Sequence, residues 1–139
     1  MRIARVAAGD DYVVHAGAAL FDDAPTEEST ARFLGRDGHH LLVAIEDDEP
    51  VGFVSGVEMT HPDKGTEMFL YELSVGEDHR RRGIGTALVR ALEALAREIG
   101  CYGMWVGTEA DNEAALATYR AAAAGPPEDC VFLTWRFSR

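Results

Sequence analysis

Cysteine is scarce: the chain carries only Cys101 and Cys130, in no CxxC pair and at no zinc-ligand spacing. Neither a disulfide framework nor a zinc site is indicated, and both thiols are expected to stay reduced. The five histidines (His15, His39, His40, His61, His79) form no HExxH or comparable pattern, so no metal is expected. No apolar run approaches the ~20 residues that a membrane span needs. Gly9-Asp10-Asp11 interrupts the N-terminus before a signal-peptide core could form. The expectation is a cytoplasmic protein with no membrane partner. Positive charge is also in short supply, with 13 Lys and Arg against 24 Asp and Glu and a formal net charge of −11. Such a balance disfavours a nucleic-acid partner, because duplex affinity comes largely from basic residues on phosphates. It suits a cationic partner drawn in by the long-range field, although solubility alone would also account for it.

What is present is an ordinary globular composition, 47% hydrophobic and 27% charged over 139 residues, read as one domain spanning 1–139. Residues 2–7 alternate as a short strand, followed by helical stretches over 10–20 and after Pro25. Residues 41–45 and 51–57 read as a hairpin across an acidic turn, and 67–75 as a third, longer strand beyond the turn at 61–65. The clearest helix is 84–99, with Ile84, Leu88, Ala91, Leu95 and Ile99 on one face and Gly100 placed to cap its end. A strand at 102–107, an alanine-rich helix at 112–124 and a last strand at 130–137 complete an α/β chain around one central sheet.

The chemistry gathers after the third strand. Leu73-Ser74-Val75 leads through a short acidic turn to Arg80-Arg81-Arg82-Gly83-Ile84-Gly85-Thr86, which opens the long helix. A helix N-terminus offers unpaired N–H groups and the positive end of the dipole. Glycines let an anion approach that backbone, and arginines surround it with charge, so the stretch reads as a pyrophosphate cradle. A Walker loop is absent, and a Rossmann fingerprint would need a third glycine where Leu88 stands. Glycines that only permit a turn, beside solvated arginines, are the plainer reading.

The stretch from Glu67 to Leu88 resembles the GNAT N-acetyltransferases, whose [QR]xxGx[GA] signature is met by Arg80, Gly83 and Gly85. Downstream, Asn112-Glu113-Ala114-Ala115-Leu116-Ala117-Thr118-Tyr119 is similar to the family's NxxAxxxY motif. The resemblance implies a mixed central sheet with splayed strands and flanking helices. It also implies acetyl-CoA as donor, held by Leu73, Ser74, Val75, Arg80, Arg81, Arg82, Gly83, Ile84, Gly85, Thr86 and Asn112. A narrower similarity, over 67–81 and in the acidic Thr108-Glu109-Ala110-Asp111, is to the type I aminoglycoside 3-N-acetyltransferases. It implies acetyl transfer to a primary amine of an aminoglycoside or a similar polycation. Another small amine, a peptide amine, or acyl-CoA binding without turnover remain as alternatives. The family's habit of pairing strands between copies implies a homodimer.

Transfer to an amine needs a base, an oxyanion donor and a partner for the leaving thiolate. The backbone N–H of Val75 is the implied oxyanion donor, a contribution of ~3 kcal/mol. Glu72, which alternation points away from Leu73, and Glu109 are the candidate bases; as ordinary carboxylates of pKa ~4 they are weak ones. Each has a plainer reading, as a surface charge pair for Glu72 and as helix N-terminal compensation for Glu109. Tyr119 is the implied acid, but a phenol protonating a thiolate runs uphill by ~2 kcal/mol, so a hydrogen-bonding role suits it better. The acidic residues Asp22, Asp23, Glu109 and Asp111 are candidates for the cationic acceptor, although Asp111 reads first as a helix cap. His61 and Asp63 occupy a turn that could border the acceptor cleft.

Overall fold

A computed structural model describes residues 1–138. Strands β1 (Arg2–Arg5), β2 (His39–Glu46), β3 (Glu49–His61), β4 (Gly65–Val75) and β5 (Met104–Trp105) form one sheet in sequence order. The first four are antiparallel neighbours; β5 joins β4 in parallel. Alternation splits β2 between two cores, with Leu42 and Ala44 on one face and Leu41, Val43 and Ile45 on the other. The β2–β3 hairpin closes through Asp47 (φ 51°) and Asp48 (φ 64°), the paired left-handed residues that a two-residue hairpin loop requires.

Helix α1 (Asp11–Ala16) and α2 (Glu27–Leu34) cover the second of these faces. The helix read at 10–20 is interrupted at the buried Gly17, after which Ala18–Leu20 forms a 3-10 turn. Helix α3 (Ile84–Ile99) covers the first face, and α4 (Glu113–Ala121) lies beside it. The bounds of α3 are those read from the sequence, but its buried stripe is Ile84, Leu88, Val89, Leu92 and Ala96, whereas Ile99 is exposed. The helix buries an i, i+4 row, which drifts around the axis away from the average 3.6-residue face. It sits close to the sheet: a β-carbon at Gly56 would stand 2.9 Å from Leu92 Cδ1 and from Met68 Sδ.

Two departures matter for the site. The β3–β4 ladder slips between Ser55 and Gly56, leaving Tyr71 as an extra residue, a bulge. The β4–β5 ladder holds only Met68↔Met104 and Phe69↔Trp105, so β5 is shorter than the 102–107 expected. Pairing ends just before the bulge, because a bulged strand bends. Beyond Phe69 the ladder between β4 and β5 ends.

The strand read at 130–137 does not form. Residues 124–138 have no regular structure, and Val131, Phe132, Leu133, Trp135 and Phe137 are 67–84% exposed. Pro126 and Pro127 carry no N–H to give to a ladder, and the neighbouring β5 has only two ladder residues, so little regular edge stands beside this segment. Among the described residues no helix is long and apolar enough to cross a membrane, and no group of three metal-ligating side chains forms.

Candidate active site

The cradle is assembled where β4 ends and α3 begins. Arg81 (φ 63°) and Gly83 (φ 79°) are both left-handed, which turns the loop sharply into the helix. No side chain caps α3, so the N–H groups of its first turn keep no internal partner. Gly85 is where α3, α4 and β4 meet: a β-carbon there would stand 3.3 Å from Thr118 Cγ2 and 3.7 Å from Val75 Cγ2. The three arginines separate in role. Arg82 makes a fork to Glu46, with Nη1 to Oε1 at 3.0 Å and Nη2 to Oε2 at 2.8 Å, and a contact to His79 Nδ1 at 3.1 Å. That hydrogen-bonded pair holds the Glu46 carboxyl below its ordinary pKa and ties the loop to β2. Arg80 Nε donates to the Val75 carbonyl at 3.3 Å. Arg80 and Arg81 make no side-chain ion pair among the described residues, so their charge faces the cradle's surroundings.

The N–H of Gly76 donates to Val51 O across the sheet at 2.8 Å. By alternation the N–H of Val75 points the other way, to the side of β4 where pairing with β5 has ended. Leu73 and Val75 pack toward α3, whereas Glu72 and Ser74 lie on the opposite face. There Ser74 Oγ donates to Leu20 O at 2.7 Å, a protein contact rather than a free ligand group. This bond pins the segment that carries Asp22. The Asp22 carboxyl meets that of Glu72, and burial, then the charge of Asp22 and a hydrogen bond between them, push the Glu72 carboxyl above its ordinary range. Two carboxyl groups fifty residues apart in sequence thus share one spot on the strand.

The other candidates are distributed unevenly. Asp23, Glu109 and Asp111 are exposed and make no ion pair or side-chain hydrogen bond among the described residues. The cap expected of Asp111 falls instead to Asn112, whose Oδ1 accepts from the Ala115 N–H at 3.1 Å because it stands at the position directly before the helix. That oxygen is therefore occupied by α4, not free for a cofactor. Tyr119 is half-buried against the α3 core and lines a cavity of about 250 Å³ with Leu70, Val89, Met104 and Val106. Burial pushes its phenol pKa up, which makes it a weaker acid. His61 and Asp63 pair with each other at the exposed tip of the β3–β4 hairpin. The eleven residues of β4 put that tip ~30 Å from the cradle, at the far end of the strand.

One group escaped the sequence reading. Phe69 stacks on Trp105, with ring centroids 4.3 Å apart and planes at 27°, and meets Tyr71 edge-on at 5.8 Å. This aromatic shelf stands where β4 and β5 part, on the same face as Glu72. The i, i+2 spacing of Phe69 and Tyr71 was the available signal; the contribution of Trp105 from another strand was not visible.

A mixed sheet whose last two strands pair over only two residues, beside a helix with no side-chain cap at its N-terminus, defines an α/β domain with flanking helices. The chain belongs to the Acetyltransferase (GNAT) family, whose model matches residues 9–123. It is 39% identical over 103 residues to a mycothiol acetyltransferase of Clavibacter sepedonicus, covering 68% of this chain and 32% of that protein. The chain spans about half the length, or less, of the curated relatives it matches (47% and 32%). Its fold is that of an aminoglycoside acetyltransferase from an uncultured soil metagenomic sample, solved in complex with sisomicin: TM-score 0.90, 20% identity, 99% of this chain and 96% of that one. It is also that of aminoglycoside N-acetyltransferase AAC(6')-Iy in complex with CoA: TM-score 0.81, 20% identity, 97% of this chain and 94% of that one.

Proposed function

We propose that the protein is an acetyl-CoA-dependent N-acetyltransferase acting on a primary amine of an aminoglycoside or a similar polycationic small molecule. The observation that carries this reading is the Asp22–Glu72 carboxyl pair, on the face of β4 opposite the side that packs on α3 and just before the strand reaches the cradle. Two carboxyl groups forced together are relieved by a cation between them, so the pair suits an ammonium rather than a neutral acceptor. The aromatic shelf beside it gives a flat apolar wall on which a sugar ring or cation can rest.

The cradle fits the donor: its first turn has no side-chain cap, Gly83 stands in open space, Gly85 lets α3 pack close to Thr118 and Val75, and Arg80 and Arg81 supply charge. Acetyl-CoA, when bound, supplies an acetyl group activated as a thioester. The first turn of α3, with Arg80 and Arg81, would hold the diphosphate, and Arg82 would hold the loop through Glu46. The Val75 N–H is the donor for the developing oxyanion. Glu72, with its raised pKa, takes the proton from the amine, being a better match to an amine than an ordinary carboxylate. Tyr119 gives a hydrogen bond to the departing sulfur rather than its proton, since burial has moved its pKa the wrong way for an acid. The similarity over Glu67–Arg81 favours the 3-amino group as the acetylated position.

The test is thiol release from acetyl-CoA across aminoglycosides, polyamines and amino acids, with the product's acetyl position read by NMR. Turnover confined to 3-amino-bearing aminoglycosides is the expected result. Transfer to a 6'-amine would keep the enzyme class and overturn the position. Silence across the panel while acetyl-CoA raises the melting temperature would overturn the acceptor assignment.

A further inference from the structure

Helix α4 carries Tyr119 but is poorly equipped to hold it still. It has nine residues, too few for a helix to persist by itself, and none of Glu113–Ala121 is fully buried. Beneath it lies the cavity of about 250 Å³ that Val89, Tyr119 and Ala122 line together. Close packing fixes a side chain by leaving it no other place to go. Under Tyr119 that constraint is incomplete, so the place of the ring rests on what ties α4 at its edges.

The ties are made at the backbone groups that a helix leaves open. At the start, Asn112 Oδ1 takes the Ala115 N–H. At the end the chain turns through Ala123 (φ 69°), without the glycine that would ease a left-handed residue. There the N–H of Ala124 donates to Tyr119 O and that of Ala123 to Arg120 O, both at 2.9 Å. The next carbonyl is that of Ala121, and Arg90 Nη2 donates to it at 2.8 Å. Arg90 projects from the middle of α3, one residue after Val89, which is buried in the core. No other side-chain hydrogen bond joins α3 to α4 among the described residues. A guanidinium at a helix C-terminus also meets the negative end of the dipole. Arg90 makes no ion pair among the described residues, so no carboxylate draws it away from that carbonyl.

A second contact reaches α3 from the other side of the phenol. Thr118 Cγ2 lies against Gly85, 3.3 Å from where a β-carbon would stand. Tyr119 is thus bracketed by contacts at 118 and 121, both made to α3. On the role proposed for Tyr119 above, we infer that Arg90 is a positioning residue for acetyl transfer. By anchoring the last turn of α4 to α3, it keeps the Tyr119 hydroxyl at the departing sulfur. Arg90 acts only through Tyr119, so its loss can cost no more than loss of the phenol hydroxyl itself.

The experiment is a double-mutant cycle in the full chain, Arg90→Met with Tyr119→Phe, read as kcat and KM. Amide hydrogen exchange at residues 118–122 is followed in the same proteins. Arg90→Met should keep the circular dichroism of the wild type, since its side chain is exposed. Its kcat should fall ~5-fold, the equivalent of one hydrogen bond, with the KM for acetyl-CoA unchanged and exchange at 118–122 faster. Added to Tyr119→Phe, it should lower kcat no further. Arg90→Lys, which keeps a charged donor, should recover most of the lost kcat. Losses that multiply in the double variant, a raised KM with kcat intact, or unchanged exchange at 118–122 would each overturn the positioning role. A fully active Tyr119→Phe would instead overturn the place of Tyr119 at the sulfur, and absence of turnover the acetyl transfer. The exchange measurement reads the Arg90 anchor in either case.

Discussion

The end of β4 has two faces of different construction. Toward α3, Leu73 and Val75 lead into a cradle made of backbone: N–H groups, glycines and a helix dipole, drawn from one continuous stretch, 73–86. On the opposite face, the proposed acceptor side is made of side chains from separate segments: Asp22 before α2, Glu72 and the rings on β4, and Trp105 on β5. A backbone site survives most side-chain changes that keep the loop shape. A side-chain site depends on which groups meet, so one substitution can redirect it. On the proposed reading, the donor half is thus the constant part of the molecule and the acceptor half the adjustable one.

Glu72→Gln would break the acceptor face most severely. Loss of a positioned base costs ~10²–10⁴ in kcat, while the melting shift caused by acetyl-CoA should stay as in the wild type. A matching loss of the acetyl-CoA shift would show that the two faces are not separable. Gly85→Val attacks the other face, because the branched side chain would press on Thr118 and Val75 and push the first turn of α3 out of place. The KM for acetyl-CoA should rise ~10-fold or more, the equivalent of one lost charge-assisted contact, with the KM for acceptor little changed. Tyr119→Phe removes a hydrogen-bond donor but no proton source, so kcat should fall ~10-fold, with the shape of the pH profile preserved. A lost alkaline limb would instead make Tyr119 the acid.

Asp22→Asn sharpens the comparison with the smallest change at neutral pH. Glu72 holds its proton above its ordinary pKa partly because Asp22 is charged. The base form accumulates only above that raised value, so kcat/KM should climb with pH through it. Without Asp22 the Glu72 carboxyl titrates lower, and the acid limb should shift to lower pH. Folding stability should respond in the same interval: a carboxyl with a raised folded pKa loses stability as pH rises through it, and Asp22→Asn should flatten that loss. An acid limb that stays in place would mean the two carboxyl groups are uncoupled in solution.

The sequence made the two halves unequally visible. The bounds of α3, the arginine–glycine loop and the order of the first four strands follow from local pattern, because periodicity, Gly83 and Gly100 all act within a few residues. Asp22 and Glu72 could each be nominated by charge, but only the hydrogen bond from Ser74 to Leu20 explains why they meet. Arg82 looks identical to its two neighbours in sequence, and its commitment to Glu46 required the end of β2 to be in place. Asn112 and Asp111 differ by one position, which is within the uncertainty of any helix start read from pattern. Residues 130–137 have the composition of a strand but pair with none, and pairing depends on the edge a strand meets, a property no local pattern can report.

The single extra residue at Tyr71 reaches further than its size suggests. Before it, even-numbered residues (Met68, Leu70) point to α3; after it, odd-numbered ones (Leu73, Val75) do. The strand therefore changes phase once along its length, which puts Tyr71 and Glu72 side by side on one face, a neighbourhood that strict alternation forbids. Shortening β4 by that one residue would leave every motif of the chain legible and every side chain of Leu73–Val75 facing as before. It would also straighten the strand, and a straight β4 can zip onward along Val106–Thr108. The protein's binding room is in this sense a matter of count rather than chemistry, one residue too many in one of two adjoining strands.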